Sequence, residues 1–269
     1  MNKKKTLLFV LAGFLGVATY GQGRQKDKAA RAEERIKLAE ENEPPFRNQS
    51  VFGLKLNTDG YGLSYEFGRY VSPRVTTLYM FELNEKLDPK EEKVTANPNS
   101  FSSNSQFKWG KANNFFQFKV GYGKQRLIGG KGNKNGVSVT GIYAGGLALG
   151  ILKPYYIDAE DQRDGSQILY WFNDAPPEGG IKPLGASGIT VGWGDVKFKP
   201  GAHAKAALRF DYGRFFESVS AIEAGINMEY YSSDILQMAL YDSGTKGFFT
   251  RQKQFFFNAY ITVLFGKRK

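Results

Sequence analysis

His203 is the single histidine of this 269-residue chain, and cysteine is absent. Thiolate metal sites, disulfide staples and cysteine nucleophiles are therefore excluded, and histidine-rich zinc sites with them. Acyl transfer or proteolysis would need His203 beside a serine or carboxylate. It stands instead between Ala202 and Ala204, with no nucleophile motif around it. Acidic Asp158, Glu160, Asp161 and Asp164 offer oxygens for a hard cation, but their spacing lacks the EF-hand order and reads as a solvated loop. The run GGKGNKNG at 129–136 lacks the GxxxxGK[ST] order that a phosphate loop needs between a strand and a helix. It reads as a flexible turn whose Lys131 and Lys134, with Lys124 and Arg126, could touch polyanions. No catalytic, cofactor-binding or metal site is assigned, no cofactor is expected, and the chain is not expected to be an enzyme.

The bulk composition explains why so little chemistry is on offer. With 22 Phe, 15 Tyr, 3 Trp and 32 Gly, the chain is too aromatic and too glycine-rich for a helical bundle and suits β structure. Mean hydropathy is −0.42, which excludes a helical membrane protein. The net charge is +11. Removing Lys3, Lys4 and Lys5 with a leader leaves 34 basic and 26 acidic residues, an excess of 8 that suits anionic lipid head groups or glycan phosphates.

That leader is the stretch MNKKKTLLFVLAGFLGVATYG, residues 1–21, with a basic start, an apolar core from Leu7 to Val17 and small or polar residues up to Gly21. This is the form of a cleaved secretory signal peptide. The cysteine-free sequence rules out a lipoprotein anchor, and export disfavours nucleic acid as a partner. Residues 22–49 form a charged tail whose helix formers over 24–43 allow a helix that Pro44-Pro45 stops; the simpler reading is a solvated periplasmic segment. The folded unit spans 50–269.

From Ser50 onward apolar and polar residues alternate. In VFGLKLNTDGYGLSYEFGR (51–69), Phe52, Leu54, Leu56, Tyr61, Leu63, Tyr65 and Phe67 share one face, while Gly53, Lys55, Asn57, Gly62, Ser64 and Glu66 share the other. Thr58-Asp59-Gly60 supplies the hairpin turn. Further strands are expected at 75–83, 114–123, 137–150, 204–213, 220–231 and 254–266. The fold class that follows is all-β: a transmembrane antiparallel up-and-down β-barrel of about 8 strands, with long extracellular loops. Ten strands are possible if a hairpin at 189–198 joins the wall. Apart from the tight first turn, short or moderate links at 71–74, 124–136 and 214–218 alternate with long ones at 84–113, 150–203 and 232–254, as brief periplasmic turns and extended outer loops do.

Alternation alone does not say which face meets water, because a soluble sandwich shows the same period. The polar face carries Lys55, Glu66, Lys119, Arg209, Asp211, Glu223 and Glu229, interleaved with Gly, Ser and Asn. Both signs among small residues can fill a narrow lumen as ion pairs, where an isolated charge would be too costly. The export signal, the loop asymmetry and the aromatic final strand favour the barrel over the sandwich.

The stretches KLNTDGYGLSYEFGRY (55–70), KPGAHAKAALRFDYG (199–213) and ITVLFG (261–266), with Gln22 following the leader, resemble the small outer-membrane β-barrel proteins common in Bacteroidota, OmpA/OmpX-like in architecture. The resemblance implies a location in the cell outer membrane. That group includes uncharacterised proteins and barrels that accompany secretion and gliding machinery, so it implies no single activity.

The informative loop is 150–203. Its run Ile168, Leu169, Tyr170, Trp171 and Phe172 is expected to form either the loop's own small core or a docking surface. The function that follows is a structural or accessory interaction role, in secretion or envelope assembly, exercised through outer loops. The expected partners are outer-membrane lipid and lipopolysaccharide, and another envelope protein. A narrow channel, and an outer-membrane enzyme modifying lipid or peptide near His203, are the alternatives.

Overall fold

The computed structural model describes residues 46–96, 106–131, 136–174, 177–213, 218–242, 247–250 and 253–269. The expected leader and nearly all of the tail lie outside the described residues. In chain order the strands are β1 (Asn48–Asn57), β2 (Gly60–Ser72), β3 (Val75–Lys86), β4 (Lys93–Thr95), β5 (Gln106–Lys108), β6 (Asn113–Gly129), β7 (Ser138–Pro154), β8 (Tyr156–Asp161), β9 (Gln167–Trp171), β10 (Ile181–Ala186), β11 (Lys197–Asp211), β12 (Ser218–Ile235), β13 (Ala239–Asp242), β14 (Gly247–Thr250) and β15 (Lys253–Arg268).

Eight of them close into an antiparallel ring in the order β1-β15-β12-β11-β7-β6-β3-β2, so the first and last strands pair and no edge is left open. Sequential neighbours pair throughout, which is the up-and-down arrangement. The turn between β1 and β2 is tight: Asn57 faces Gly60, and Gly60 has a φ of 153°, with the carbonyl oxygen of Glu85 only 2.0 Å from where a Cβ would lie. Glycine is required there by both backbone angle and space.

The alternation resolves as the sequence suggested, with apolar residues pointing out. Leu56 is 68% exposed and Leu147 74%, and Phe52, Tyr65, Phe118, Ile222, Phe257 and Ile261 are exposed with them. Lys55 and Arg209, on the inner face, are 2% exposed. A belt of large apolar side chains outside a charged interior inverts the arrangement of a water-soluble fold, and hydrocarbon is the solvent that satisfies it.

Two expectations are corrected. Residues 189–198 do not form a hairpin in the wall: a 3-10 turn occupies Trp193–Asp195 and Lys197 begins β11, so the barrel has eight strands and not ten. The strand expected from Ala204 begins at Lys197 and runs through Pro200. Proline is tolerated because this section of β11 pairs with β7 alone; pairing with β12 starts at Gly201. The wall strands reach 18 residues in β12, beyond the crossing length of about 9 to 11, so they continue past the apolar belt.

One end of the barrel carries the chain termini and short links. The backbone NH groups of Arg47 and Asn48 both donate to the Lys269 carbonyl at 2.8 Å. The other end carries the tight β1–β2 turn and the long links, and there the loops fold. β8, β9 and β10 form a three-stranded sheet, while β4-β5 and β13-β14 are two-stranded.

Candidate functional site

An eight-stranded barrel is only wide enough for side chains to fill it, and this one is filled in layers. Near the terminal end Val51, Val219, Ala221 and Leu264 pack together, and Leu78, Met80 and Ile142 form a second apolar group. Near the loop end Phe115, Ala148, Leu152, Tyr231, Ile235 and Phe256 form a third. Between these layers lies the charge.

The centre of the network is Lys205, whose Nζ lies 3.3 Å from a carboxylate oxygen of each of Glu66, Glu82 and Glu223. Arg209 donates through Nε to Glu223 at 2.9 Å and through Nη2 to Glu66. Lys55 donates to Glu82 at 2.9 Å, and its ammonium sits 3.9 Å from the centre of the Tyr260 ring. Tyr260 in turn donates to Glu223 at 2.6 Å. Lys119 bridges Glu229 at 2.6 Å and Glu82 at 3.5 Å. Lys86 extends the chain from Glu229 at 2.9 Å to Asp59 at 2.5 Å, next to the tight turn. Each of these charges has at least one opposite charge within reach, and Lys205, Arg209, Glu223 and Glu229 have several partners, the condition under which an ion pair survives removal from water.

Glycine makes room for it. A Cβ on Gly121 would lie 3.1 Å from Nε2 of His203, and one on Gly53 would lie 2.4 Å from Oγ of Ser64. Small residues on one strand thus accommodate long polar ones from another.

Of the residues expected to line the lumen, Lys55, Glu66, Lys119, Arg209, Glu223 and Glu229 come together in this network. Asp211 does not; it lies at the terminal end, paired with Arg268 and 3.6 Å from Lys131. Sequence reasoning missed Glu82, Lys86 and Asp59, and it set Lys205 on the polar face with Arg209 and Asp211 without placing it in the network. The signal for β3 was blurred because Leu78 and Met80 point inward among its polar residues, although Glu82, Asn84 and Lys86 continue the same parity.

His203 is a correction. It sits inside β11 on the inner face, 7% exposed, with Nδ1 3.2 Å from the Leu147 carbonyl oxygen. Neither lipid nor an outer substrate meets it, so the rim position that an enzyme there would need does not exist. The packed lumen likewise opposes the narrow-channel alternative: Lys205 and Arg209 from β11 meet Glu66 of β2 on the opposite wall.

The loops build a second feature, a cap over the long-loop end. Phe107 and Ala112 from the first long link, Ile157, Ala159, Tyr170 and Phe172 from the second, and Ala239 from the third share one buried cluster. The backbone ties them further. Ala112 N donates to the Gln237 carbonyl at 2.9 Å, Tyr155 N to the Ala112 carbonyl at 2.9 Å, and Trp171 Nε1 to that same carbonyl at 2.5 Å. Glu91 clamps the first link by accepting from Lys111 at 2.8 Å and from Lys108. Burial opposes ionisation of this carboxyl, but the hydrogen bonds from the two lysines outweigh it and hold Glu91 below its ordinary range.

Of the expected docking run, Tyr170 and Phe172 point into this core, Ile168 and Trp171 are half-buried, and Leu169 alone is exposed, at 56%. The run as a whole is therefore not a docking surface. The alternation of β9 sends Tyr170 inward and Trp171 to the opposite face. The acidic residues nearby are individually engaged: Glu160 pairs with Lys182 at 3.0 Å, Asp161 with Arg163 at 2.9 Å, and Asp164 accepts from Ser166. Among the described residues no three acids or histidines group as a metal site. Of the turn at 129–136, residues 132–135 lie outside the described residues; Lys131 donates to the Gly213 carbonyl at 2.5 Å.

No protein-family profile matches the sequence, and no curated protein matches it. Among solved structures the chain is similar to the N-terminal β-barrel domain of Pseudomonas aeruginosa OprF, at 11% identity and a TM-score of 0.36, over 82% of this chain and 98% of that one. It is similar to Neisserial surface protein A at 8% identity and a TM-score of 0.36, over 82% and 96%. A third is Ail, the attachment invasion locus protein of Yersinia pestis, at 10% identity and a TM-score of 0.37, over 82% and 98%. These likenesses are distant. The barrel assignment rests on this chain's own strand pairing and apolar belt.

Proposed function

We propose that the protein is an outer-membrane barrel that anchors a folded loop cap, and that the cap is a docking platform for another envelope protein, in an accessory role in secretion or envelope assembly. The export leader read from the sequence and the lipid-compatible belt support the location, with lipopolysaccharide and phospholipid as the surrounding lipids. The observation that carries the reading is the contrast between the two interiors. The barrel is filled with mutually neutralised charge, whereas the loops invest a shared core of seven buried residues in holding one outer shape. A rigid shape on the outside of a blocked barrel suits recognition.

Trp109 and Leu169 remain exposed on that cap, at 46% and 56%, and large apolar side chains of this kind anchor interfaces. Co-purification in mild detergent tests the reading, comparing wild type with Trp109→Ala/Leu169→Glu. The double variant should retain heat-modifiable migration and lose a partner that wild type retains. An identical partner set for both proteins removes the proposal. Deleting 165–180 is a poorer test, because it takes Tyr170 and Phe172 out of the cap core.

A further inference from the structure

The two ends of the barrel differ in charge. At the loop end both signs mix, with Glu91, Glu92, Asp158 and Glu160 among Lys93 and Lys182. At the terminal end the exposed charges are Arg69, Arg74, Lys124, Arg126, Lys267 and Lys269 with Arg47, and the acid there among the described residues is Asp211, buried and engaged by Arg268 and Lys131. No carboxylate among the described residues lies within ion-pair distance of Arg69, Lys124, Arg126 or Lys267.

These cations stand in register with aromatic residues on the lipid-facing side. Phe67, Tyr79 and Tyr122 lie side by side on β2, β3 and β6, with ring centroids 6.5 Å and 5.6 Å apart. Two residues further toward the terminal end the same three strands present Arg69, Thr77 and Lys124, again directly paired. On β15 the exposed Phe265 is likewise followed two residues on by Lys267. Aromatic rings mark the boundary between hydrocarbon and head groups. Cations one step beyond them, on the same outward face, fall at the depth of lipid phosphates and have long stems with which to reach them.

We propose that the terminal end of the barrel carries a cationic collar that binds the phosphate groups of anionic phospholipids in the periplasmic leaflet. The inference depends on the membrane-spanning reading but not on the cap's role. Its chemistry is charge complementarity: a one-signed arc of guanidinium and ammonium groups along the adjacent strands β15, β1, β2, β3 and β6, with no counter-charge among the described residues, opposite a surface of phosphodiesters. Each such cation near an anionic surface contributes about fivefold in apparent affinity.

The test uses the full mature chain in nanodiscs of equimolar phosphatidylglycerol and phosphatidylethanolamine, followed by native mass spectrometry of the lipids retained on release into detergent. Wild type should retain phosphatidylglycerol in at least a fivefold excess. Arg69→Gln/Lys124→Gln/Arg126→Gln/Lys267→Gln should bring the ratio close to one, while a loop-end control, Lys93→Gln/Lys182→Gln/Lys253→Gln, should keep the wild-type ratio. Equal retention of both lipids by wild type overturns the proposal, as does an unchanged ratio in the collar variant. Binding of soluble polyphosphate without lipid enrichment would assign the collar to a soluble polyanion and also overturn it. Failure of wild type to enter the disc with heat-modifiable migration would instead defeat the membrane reading itself, which the lipid ratio does not address.

Discussion

Arg209 on β11 and Glu66 on β2 stand four strands apart in the eight-strand ring and join by an ion pair across its axis. The pair ties opposite walls of the cylinder together, and Glu223 on the strand next to β11 shares the same guanidinium at 2.5 Å. Removing Arg209 alone leaves two carboxylates buried without their principal partner. Arg209→Met is expected to destabilise the barrel by about 3–5 kcal/mol. Adding Glu66→Gln restores the balance of charge and leaves Glu223 to Lys205 and Tyr260, so it should recover part of that loss, measured by urea unfolding in micelles; equal stability of the single and double variants would contradict the coupling.

The filled lumen predicts electrical silence. Planar-bilayer recording of the purified protein should show no discrete conductance steps. Steps persisting across independent preparations would mean that the axial side chains leave a path, which their burial denies.

Glu91 gives the cap an acid limit. Its folded-state carboxyl is held below the ordinary range against burial by hydrogen bonds from Lys108 and Lys111. A lowered acid contributes stability that is present above the unfolded value and lost as pH falls through the folded one. Hydrogen exchange across residues 106–112 should therefore accelerate as pH is lowered below the ordinary carboxylate range, after correction for intrinsic rates. Glu91→Gln should raise exchange at neutral pH and flatten that dependence.

The cap and the barrel should fail separately. Phe172→Ala removes a fully buried ring from the shared loop core, a truncation that costs about 3–5 kcal/mol in a well-packed site. Limited proteolysis should then cut the long links while the heat-modifiable band persists. Loss of that band as well would show that barrel and cap form one cooperative unit.

Two neighbouring glycines should respond oppositely. A Cβ at Gly146 would fall 2.0 Å from the carbonyl oxygen of Val120, a backbone atom that cannot yield, whereas one at Gly145 would meet only the His203 carbonyl at an ordinary 3.4 Å. Gly146→Ala is expected to abolish refolding and Gly145→Ala to be tolerated, read as the yield of heat-modifiable protein.

Much of the wall was legible because strand parity is a local property: Lys55 and Leu56 are adjacent in sequence and must face opposite sides whatever the fold. From parity came the strands, their number and the six clustered lumen charges. β3 was harder, since Leu78 and Met80 place apolar groups on the polar face and hide Glu82. Pro200 also disguised the start of β11, because a missing backbone donor is harmless where a strand has only one neighbour.

The sequence by itself determined that an alternating chain has one apolar and one charged face, since side-chain direction follows the backbone two residues at a time. Tertiary structure alone decided that Lys205 would meet three glutamates, that His203 would be sealed inside, and that Tyr170 and Phe172 would close a cap with Phe107 and Ala239. Those meetings depend on ring closure and on loops far apart in the chain converging at one end, and no local periodicity encodes which distant residues will share a space.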